Sequence, residues 1–411
     1  MEKRQRRYRY MAPALALPLL LLAACGSSSN KTTGTPSGGS SSAATSGADI
    51  KVMVIAPFTL AVAPAKANLD AVKIQADDIN AKGGINGHKV VVIGCDDNTD
   101  PNVAAKCAQQ AVSEKVVAVL GQFSLVGASI FPVIEAAGIP EIGLIQYGSN
   151  EQISPSAWPI APAVVLAEGS ATGYLAKDKN CKKIADVQAD AGENSKVPVA
   201  LNKAAVAKFG ATYVGPFLLS PTGSLANAPA IAKSITDKAD CANIADGQNG
   251  IVLMKAILQI NPNFKFATNS QSVPGDWPTQ LGAGAASLNL LGGLAPNSST
   301  EPGIQAYLSE MKDKAGSDVL SDISKQAWAS FYAFTQVAKT IKGDITAKSV
   351  TDALGQASAV TTQGITGTTD FTKATPLGGT TRTFNTQLYV LGAKDGTVVQ
   401  IGTADAKDYI G

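Results

Sequence analysis

The residues of this chain that could carry chemistry are few and scattered. Its one histidine, His88, stands in the turn Gly87-His88-Lys89 ahead of an apolar run. A hydrolytic nucleophile needs a base beside it, and a lone imidazole in a solvated turn does not supply one. Asp96-Asp97 offers paired carboxylates that could bind a cation or divide acid and base roles. With Asn98 and Asp100-Pro101 following, the pair reads instead as a loop that caps the next helix. Ser309-Glu310-Met311-Lys312 matches a Ser-x-x-Lys spacing, but Tyr307 and Leu308 beside it place the four residues on an amphipathic helix, where the match is chance. No phosphate-cradling glycine loop and no metal-ligand spacing occurs. The chain reads as a binder and not an enzyme, with no catalytic residue, metal or cofactor expected.

The surrounding elements alternate short β-branched runs with helix-length amphipathic segments from residue 49 onward, the signature of a parallel sheet. A strand at 50–55 precedes a helix at 65–81, where Leu69, Val72, Ala76 and Ile79 share one face and Gly83-Gly84 stops the turn. Strands at 89–93, 116–120 and 139–143, with helices at 102–114 and 128–137, complete one open sheet. After the proline-rich stretch 155–162 the rhythm repeats, with strands at 183–188, 212–218, 241–245 and 264–267. A long helix at 317–342 carries Trp328, Phe331, Tyr332 and Phe334, and a hairpin of 387–391 and 397–401 turns at Asp395-Gly396. The expected fold class is α/β, with two doubly wound parallel-sheet lobes. In such sheets ligands sit beyond the carboxyl ends of the strands. The informative loops are therefore 56–63, 121–127 and 144–150 in the first series and 189–195, 246–250 and 269–276 in the second. They are rich in Gly, Gln, Asn and Ser, which offer neutral hydrogen bonds and free helix N-terminal amides.

At the N-terminus, Lys3, Arg4, Arg6, Arg7 and Arg9 lead into an apolar run at 11–22 that ends Leu22-Ala23-Ala24-Cys25. The run is shorter than the ~20 residues of a membrane span, and the basic-apolar-small order is that of a cleaved export signal. It resembles bacterial lipoprotein signals, which implies removal of residues 1–24 and lipid on Cys25 as the mature N-terminus. Residues 25–48, almost wholly Ser, Thr, Gly, Ala, Asn and Pro, read as a flexible tether. About 360 residues remain, enough for two domains. The formal charge of +2 provides no field for nucleic acid, which is excluded as a partner. Setting Cys25 aside leaves Cys95, Cys107, Cys181 and Cys241, an even set in an oxidising compartment. Of three possible connectivities the simplest pairs Cys95 with Cys107 and Cys181 with Cys241.

Several stretches taken together point further: Asp78-Ile79-Asn80-Ala81-Lys82-Gly83-Gly84-Ile85-Asn86-Gly87, then Asp96-Asp97 through Asp100-Pro101, then 116–121, then Ala137-Gly138-Ile139-Pro140. In order and spacing these resemble the type I solute-binding proteins of branched-chain amino-acid importers of the ATP-binding cassette (ABC) class. The resemblance implies a clamp with three crossovers, residues 49–160 and 295–378 forming one lobe and 161–294 and 379–411 the other. It also implies closure around a solute, creating a surface that a membrane permease recognises. Amino-acid-binding members hold the ligand carboxylate with hydroxyls from two loops. Here the first reads Gly121-Gln122-Phe123-Ser124-Leu125, with Leu125 at the usual second serine and Ser124 adjacent. The second reads Gly143-Leu144-Ile145-Gln146-Tyr147, with Tyr147 in place of threonine. The Tyr-Gly of the second lobe is Ala191-Gly192, and the tyrosine of the first loop falls near Pro64. A buried carboxylate needs donors at those points, so the four departures leave the solute open between a branched-chain amino acid and a different compound.

The expected pocket comprises Phe58, Gln122, Ser124, Gln146 and Tyr147 from the first lobe and Gly192, Glu193, Gln248 and Asn249 from the second, with Trp328 and Phe331 on the returning segment. The expected protein is an extracytoplasmic monomer, held to the membrane by lipid on Cys25, that passes a small polar or aromatic metabolite to an ABC permease. The alternative is a clamp of the same build that signals to a membrane receptor.

Overall fold

A computed structural model describes residues 47–59, 65–190, 192–220, 225–315 and 320–411, with the backbone alone at Glu193 and Asn194. The expected signal, Cys25 and nearly all of the tether lie outside the described residues. The first β-branched run forms Ile50–Ala56 (β1), buried along almost its whole length, as a parallel strand covered on both faces must be. Helix Lys66–Ala81 (α1) and strand Val90–Asp96 (β2) follow. In Pro101–Ser113 (α2), Asp100 accepts from the Asn102 and Val103 amides, and Pro101 opens the first turn, where its missing N–H is harmless. Ala118–Leu120 (β3), Glu141–Ile142 (β4) and Ala157–Trp158 (β5) complete a five-stranded sheet of order β2-β1-β3-β4-β5. The helix expected at 128–137 is broken into a 3-10 turn, Gly127–Ser129, and Phe131–Ala136 (α3). Pro132 can begin a helix but cannot continue one. A short helix, Ser149–Ile153 (α4), precedes β5.

The second series runs Val164–Lys177 (α5), Lys183–Ala189 (β6), Lys196–Lys208 (α6), Thr212–Leu219 (β7), Ala228–Thr236 (α7) and Cys241–Ala245 (β8). It continues Gly247–Ile260 (α8), Lys265–Asn269 (β9), Trp277–Leu281 (α9) and Leu288–Gly292 (β10), a strand that the sequence reading passes over. Helices Pro302–Ala315 (α10), Asp322–Ala338 (α11) and Ala347–Leu354 (α12) come next, then the hairpin Gln387–Lys394 (β11) and Thr397–Asp405 (β12) and a last turn, Ala406–Tyr409 (α13). The hairpin turns at Asp395 and Gly396 with φ of 51° and 74°, the pairing of left-handed residues that suits strand twist. It adds antiparallel to β10, giving a seven-stranded sheet of order β12-β11-β10-β9-β8-β6-β7. Within it, β7-β6-β8-β9-β10 repeats the order of the first sheet, so the fold is built of two doubly wound sheets, as expected.

The chain changes sheets three times: between β5 and α5, between β10 and α10, and between α12 and β11. The returning helix α11 packs on α1 and on the ends of β3 and β4. Two glycines permit this approach. At Gly121 (φ +55°) a Cβ would stand 2.5 Å from the Ala327 Cα, and at Gly143 (φ +66°) it would strike Ser330. Gln326 donates to the Gly143 and Leu144 carbonyls at 3.2 and 2.7 Å, fixing the helix end to that loop. Both expected disulfides are present, Cys95–Cys107 tying β2 to α2 and Cys181–Cys241 tying the entry of β6 to β8. No helix among the described residues is long and apolar enough to cross a membrane.

Candidate functional site

The carboxyl ends of both sheets border one small cavity. It is lined by Ala161 and Val164 of the first crossing, Asn269, Ser270 and Gln271 after β9, and Gln326 of α11. Its free volume is ≈ 10 Å³, room for about one water. Beside it an apolar cluster of Ala56, Ala65, Phe123 and Ile145 takes in Phe58, Val164 and Ile323, so side chains that leave β1, β3 and β4 meet the start of α5.

On the first-sheet side, Asp96 gathers two loops by accepting from the Phe58 amide at 2.9 Å, the Thr59 hydroxyl at 2.7 Å and the Asn98 amide at 2.9 Å. Asp97, fully buried, accepts from Ser124 Oγ at 2.5 Å and from the Thr99 amide at 2.9 Å. Burial is the main cause raising its pKa, and its two hydrogen bonds oppose the rise. Asp96 and Asp97 thus order the loop, while Asp100 provides the helix cap. Gln122 and Gln146 are buried and turned inward. With its amide oriented to donate, Gln122 meets the Glu141 carboxylate, while Gln146 Nε2 donates to the Glu151 carbonyl at 2.7 Å. Burial pushes Glu141 well up, and the charges of Glu151 and Glu135 push the same way. Tyr147 reaches solvent and meets Phe123 edge-on, 6.5 Å between ring centroids. Its phenol is raised by desolvation first and then by the charge of Glu168, a residue of α5 in the second series.

On the second-sheet side Gly192 takes φ +61° with open space where a Cβ would stand, its amide donating to Asp190 at 3.1 Å. The side chain of Glu193 lies outside the described residues. Gln248 is exposed and pairs reciprocally with Gln280 at 2.8 and 3.2 Å, drawn toward α9, while Asn249 beside it is partly buried. Asp246, directly after β8, has a carboxylate oxygen that is buried and bonded to nothing. Desolvation alone raises its pKa to about 6. Behind these loops lies a buried polar web. The carboxamides of Asn202 and Asn243 each reach both Glu168 Oε1 and Asp186 Oδ1, at 3.0 and 3.0 Å for Asn202 and 3.5 and 3.1 Å for Asn243. Gln188 bridges the same pair, and Asn269 reaches the other Glu168 oxygen at 3.4 Å. Glu168 is pushed up to about 7, chiefly by burial and then by the charge of Asp186.

Trp328 and Phe331 do not join these groups. Trp328 stacks on Tyr332 at 5.8 Å and donates from Nε1 to Glu310 at 2.8 Å, and Phe331 packs on Phe334 at 6.2 Å; both are core side chains of α11. The sequence reading missed Asp246, although its signal was there: one acid set between the strand 241–245 and Gly247.

Comparison with known proteins places this geometry in context. A family model described as periplasmic binding protein matches residues 49–397. An amino acid binding protein of Pseudomonas aeruginosa is 37% identical over 83 residues, covering 19% of this chain and 21% of that protein. Among solved structures, a fatty acid ABC transporter substrate-binding protein from Thermomonospora curvata superposes with a TM-score of 0.72 at 16% identity, covering 89% of this chain and 96% of that one. An isoleucine complex of a branched-chain amino acid transporter substrate-binding protein from Streptococcus pneumoniae gives 0.68 at 18% identity, covering 87% and 99%. A leucine binding protein from Thermotoga maritima gives 0.68 at 15%, with the same coverage.

Proposed function

Because the chain belongs to the periplasmic binding protein family, whose members are solute-binding proteins and not enzymes, we propose that it is the extracytoplasmic receptor of an ABC importer. It captures a small polar or aromatic metabolite, an amino acid or a related compound, between a lobe of residues 49–160 and 295–378 and a lobe of residues 161–294 and 379–411. The observation that carries this reading is Asp246. Its Oδ2 is buried and bonded to nothing and burial holds the carboxyl near 6, at the carboxyl end of a central strand, so a ligand cation would supply the partner that the fold does not. Tyr147 and Phe58, which follow β4 and β1, would serve as aromatic walls, and Gly192, which follows β6, as open backbone. The cavity holds about one water as it stands, so loading requires the two sheets to move apart about the three crossings and re-close, a population shift that bound solute drives. Lipid on Cys25, expected from the basic and apolar leader, would hold the receptor beside its permease.

A thermal-shift screen of the full chain against amino acids, amines, aromatic acids, amides and fatty acids tests the binding reading. A ligand at one hundred times its dissociation constant adds ~2.7 kcal/mol of stability. At least one class should raise the midpoint, and Asp246→Asn should remove that rise. A flat response to every class sinks the reading. Replacement Cys25→Ser should release the protein from membranes, and retention would refute the anchor.

A further inference from the structure

The loops that follow the strands at the ligand end carry acids and no basic residue, while Lys66 and Lys196 begin the helices after two of them and Lys325 of α11 donates to the Ala295 carbonyl and to Asn297. Each parallel strand is followed by a segment running to the next helix: 57–65, 97–100, 121–130, 143–148 and 159–163 from the first sheet, and 190–195, 220–227, 246, 270–276 and 293–301 from the second. These ten segments contain no Lys, Arg or His, while Asp97, Asp100, Asp190, Glu193, Asp246, Asp276 and Glu301 all fall within them. Helix N-termini at this end could in principle hold an anion. Three of them already carry an acid: Asp100 at α2, Asp246 at α8 and Asp276 at α9.

The hydroxyls nearest the first-sheet side are also committed. Ser124 gives its one proton to Asp97 at 2.5 Å and accepts the Val126 amide at 3.1 Å, and Thr59 gives its proton to Asp96 at 2.7 Å. Neither has a hydrogen left for a ligand carboxylate, and a negative charge stands directly behind each. Beside exposed polar residues such as Gln248 and Gln271, the same end exposes apolar side chains. Leu125 is 42% exposed and Tyr147 46%, after β3 and β4, and Val197 is 38% exposed and Leu218 46%, at the starts and ends of α6 and β7.

Resting on the binding reading above, we infer that this end selects a solute bearing a cationic amine on an apolar or aromatic body, and discriminates against a carboxylate on the same molecule. The amine meets Asp246, the body lies along Tyr147, Leu125 and the apolar cluster, and a carboxylate would face Ser124 and Thr59 with only acids behind them.

Calorimetric titration of the full-length protein with two matched sets tests this: isoamylamine, leucine and isocaproate, then phenethylamine, phenylalanine and hydrocinnamate. In at least one set the amine should bind tenfold or more tightly than its amino acid, and the acid should not bind. Asp97→Asn, which removes the charge behind Ser124, should narrow the ratio of amine to amino acid affinity, a change that loss of fold alone would not produce. If an amino acid matches or exceeds its amine, the inference falls while the binding reading stands. If a carboxylic acid binds best, it falls the same way. Silence from both sets overturns the inference, and the broader thermal screen then decides the binding reading independently.

Discussion

The hydroxyl of Tyr213, on the edge strand β7, donates to Asp186 Oδ2 at 2.8 Å, completing the shell of donors around a buried pair of acids. Asp186 and Glu168 have no cation among these donors, and the carboxamides of Gln188, Asn202 and Asn243 take its place. Tyr213→Phe removes one hydrogen bond to a buried carboxyl group, a change that costs about 1.5–3 kcal/mol. Urea denaturation should show a lower midpoint at unchanged slope; an unaltered midpoint would show that water replaces the phenol.

Stability should fall as pH rises from about 4.5 to about 7. Glu151 and Glu168 both titrate near 7 in the folded protein, raised mainly by burial, against an ordinary 4.5. Between those values the folded chain holds protons that the unfolded chain has lost, so each step up in pH favours unfolding; below 4.5 their contribution is fully present, and above 7 it is gone. Glu168→Gln should flatten its share of the slope. Denaturation midpoints that are level across this window would contradict the assignment.

The two disulfides should differ in worth. Closing a sequence separation of 60 at Cys181–Cys241 removes more unfolded-chain freedom than closing one of 12 at Cys95–Cys107. On chain entropy alone that is about 4 against about 3 kcal/mol. Paired Cys→Ala replacements, each followed by thermal unfolding, should rank in that order, and mass mapping of the unreduced protein should find no free thiol at these four positions.

Gly121→Ala should be far more harmful than Gly192→Ala, although both residues have positive φ. At Gly121 the new methyl meets the backbone of α11, while at Gly192 it meets open space. Roughly 2–5 kcal/mol is expected for the first and about 1 for the second. Equal losses would mean that α11 can retreat from β3 without penalty.

Amine binding should tighten as pH rises through about 6, because Asp246 must ionise to meet a cation and burial alone holds its pKa there. Below that value the protonated carboxyl attracts no charge. Titrations at successive pH values should show the rise in the native protein and lose it in Asp246→Asn.

The sheets were legible in the sequence because β-branched runs mark buried parallel strands directly: the strand read at 241–245 is the observed Cys241–Ala245. Strand ends were less so. Glu141–Ile142 covers two residues of the five expected, since Gly143 turns away under α11. The candidate site was legible as a set of loops but not side chain by side chain. From Ser324 to Phe331 every residue of α11 is buried, so no amphipathic period told which way Trp328 and Phe331 point. Gln122 and Gln146 looked like cleft donors because nothing local reveals Glu141 or the Glu151 carbonyl as their partners. Asp246 was passed over for its neutral neighbours because its lack of a partner is visible only in three dimensions.

The return of α11 to the first sheet sets an order of events for a chain being made. Strands β1 to β5 are complete by Trp158, yet the helix that covers them ends at Ala338. A nascent chain that has grown through the first sheet therefore cannot bury Ala118 and Leu120 under their proper cover until about twice that length has emerged. Contacts so distant in sequence close slowly. The delay leaves one face of the first sheet without its cover while the second sheet is being made.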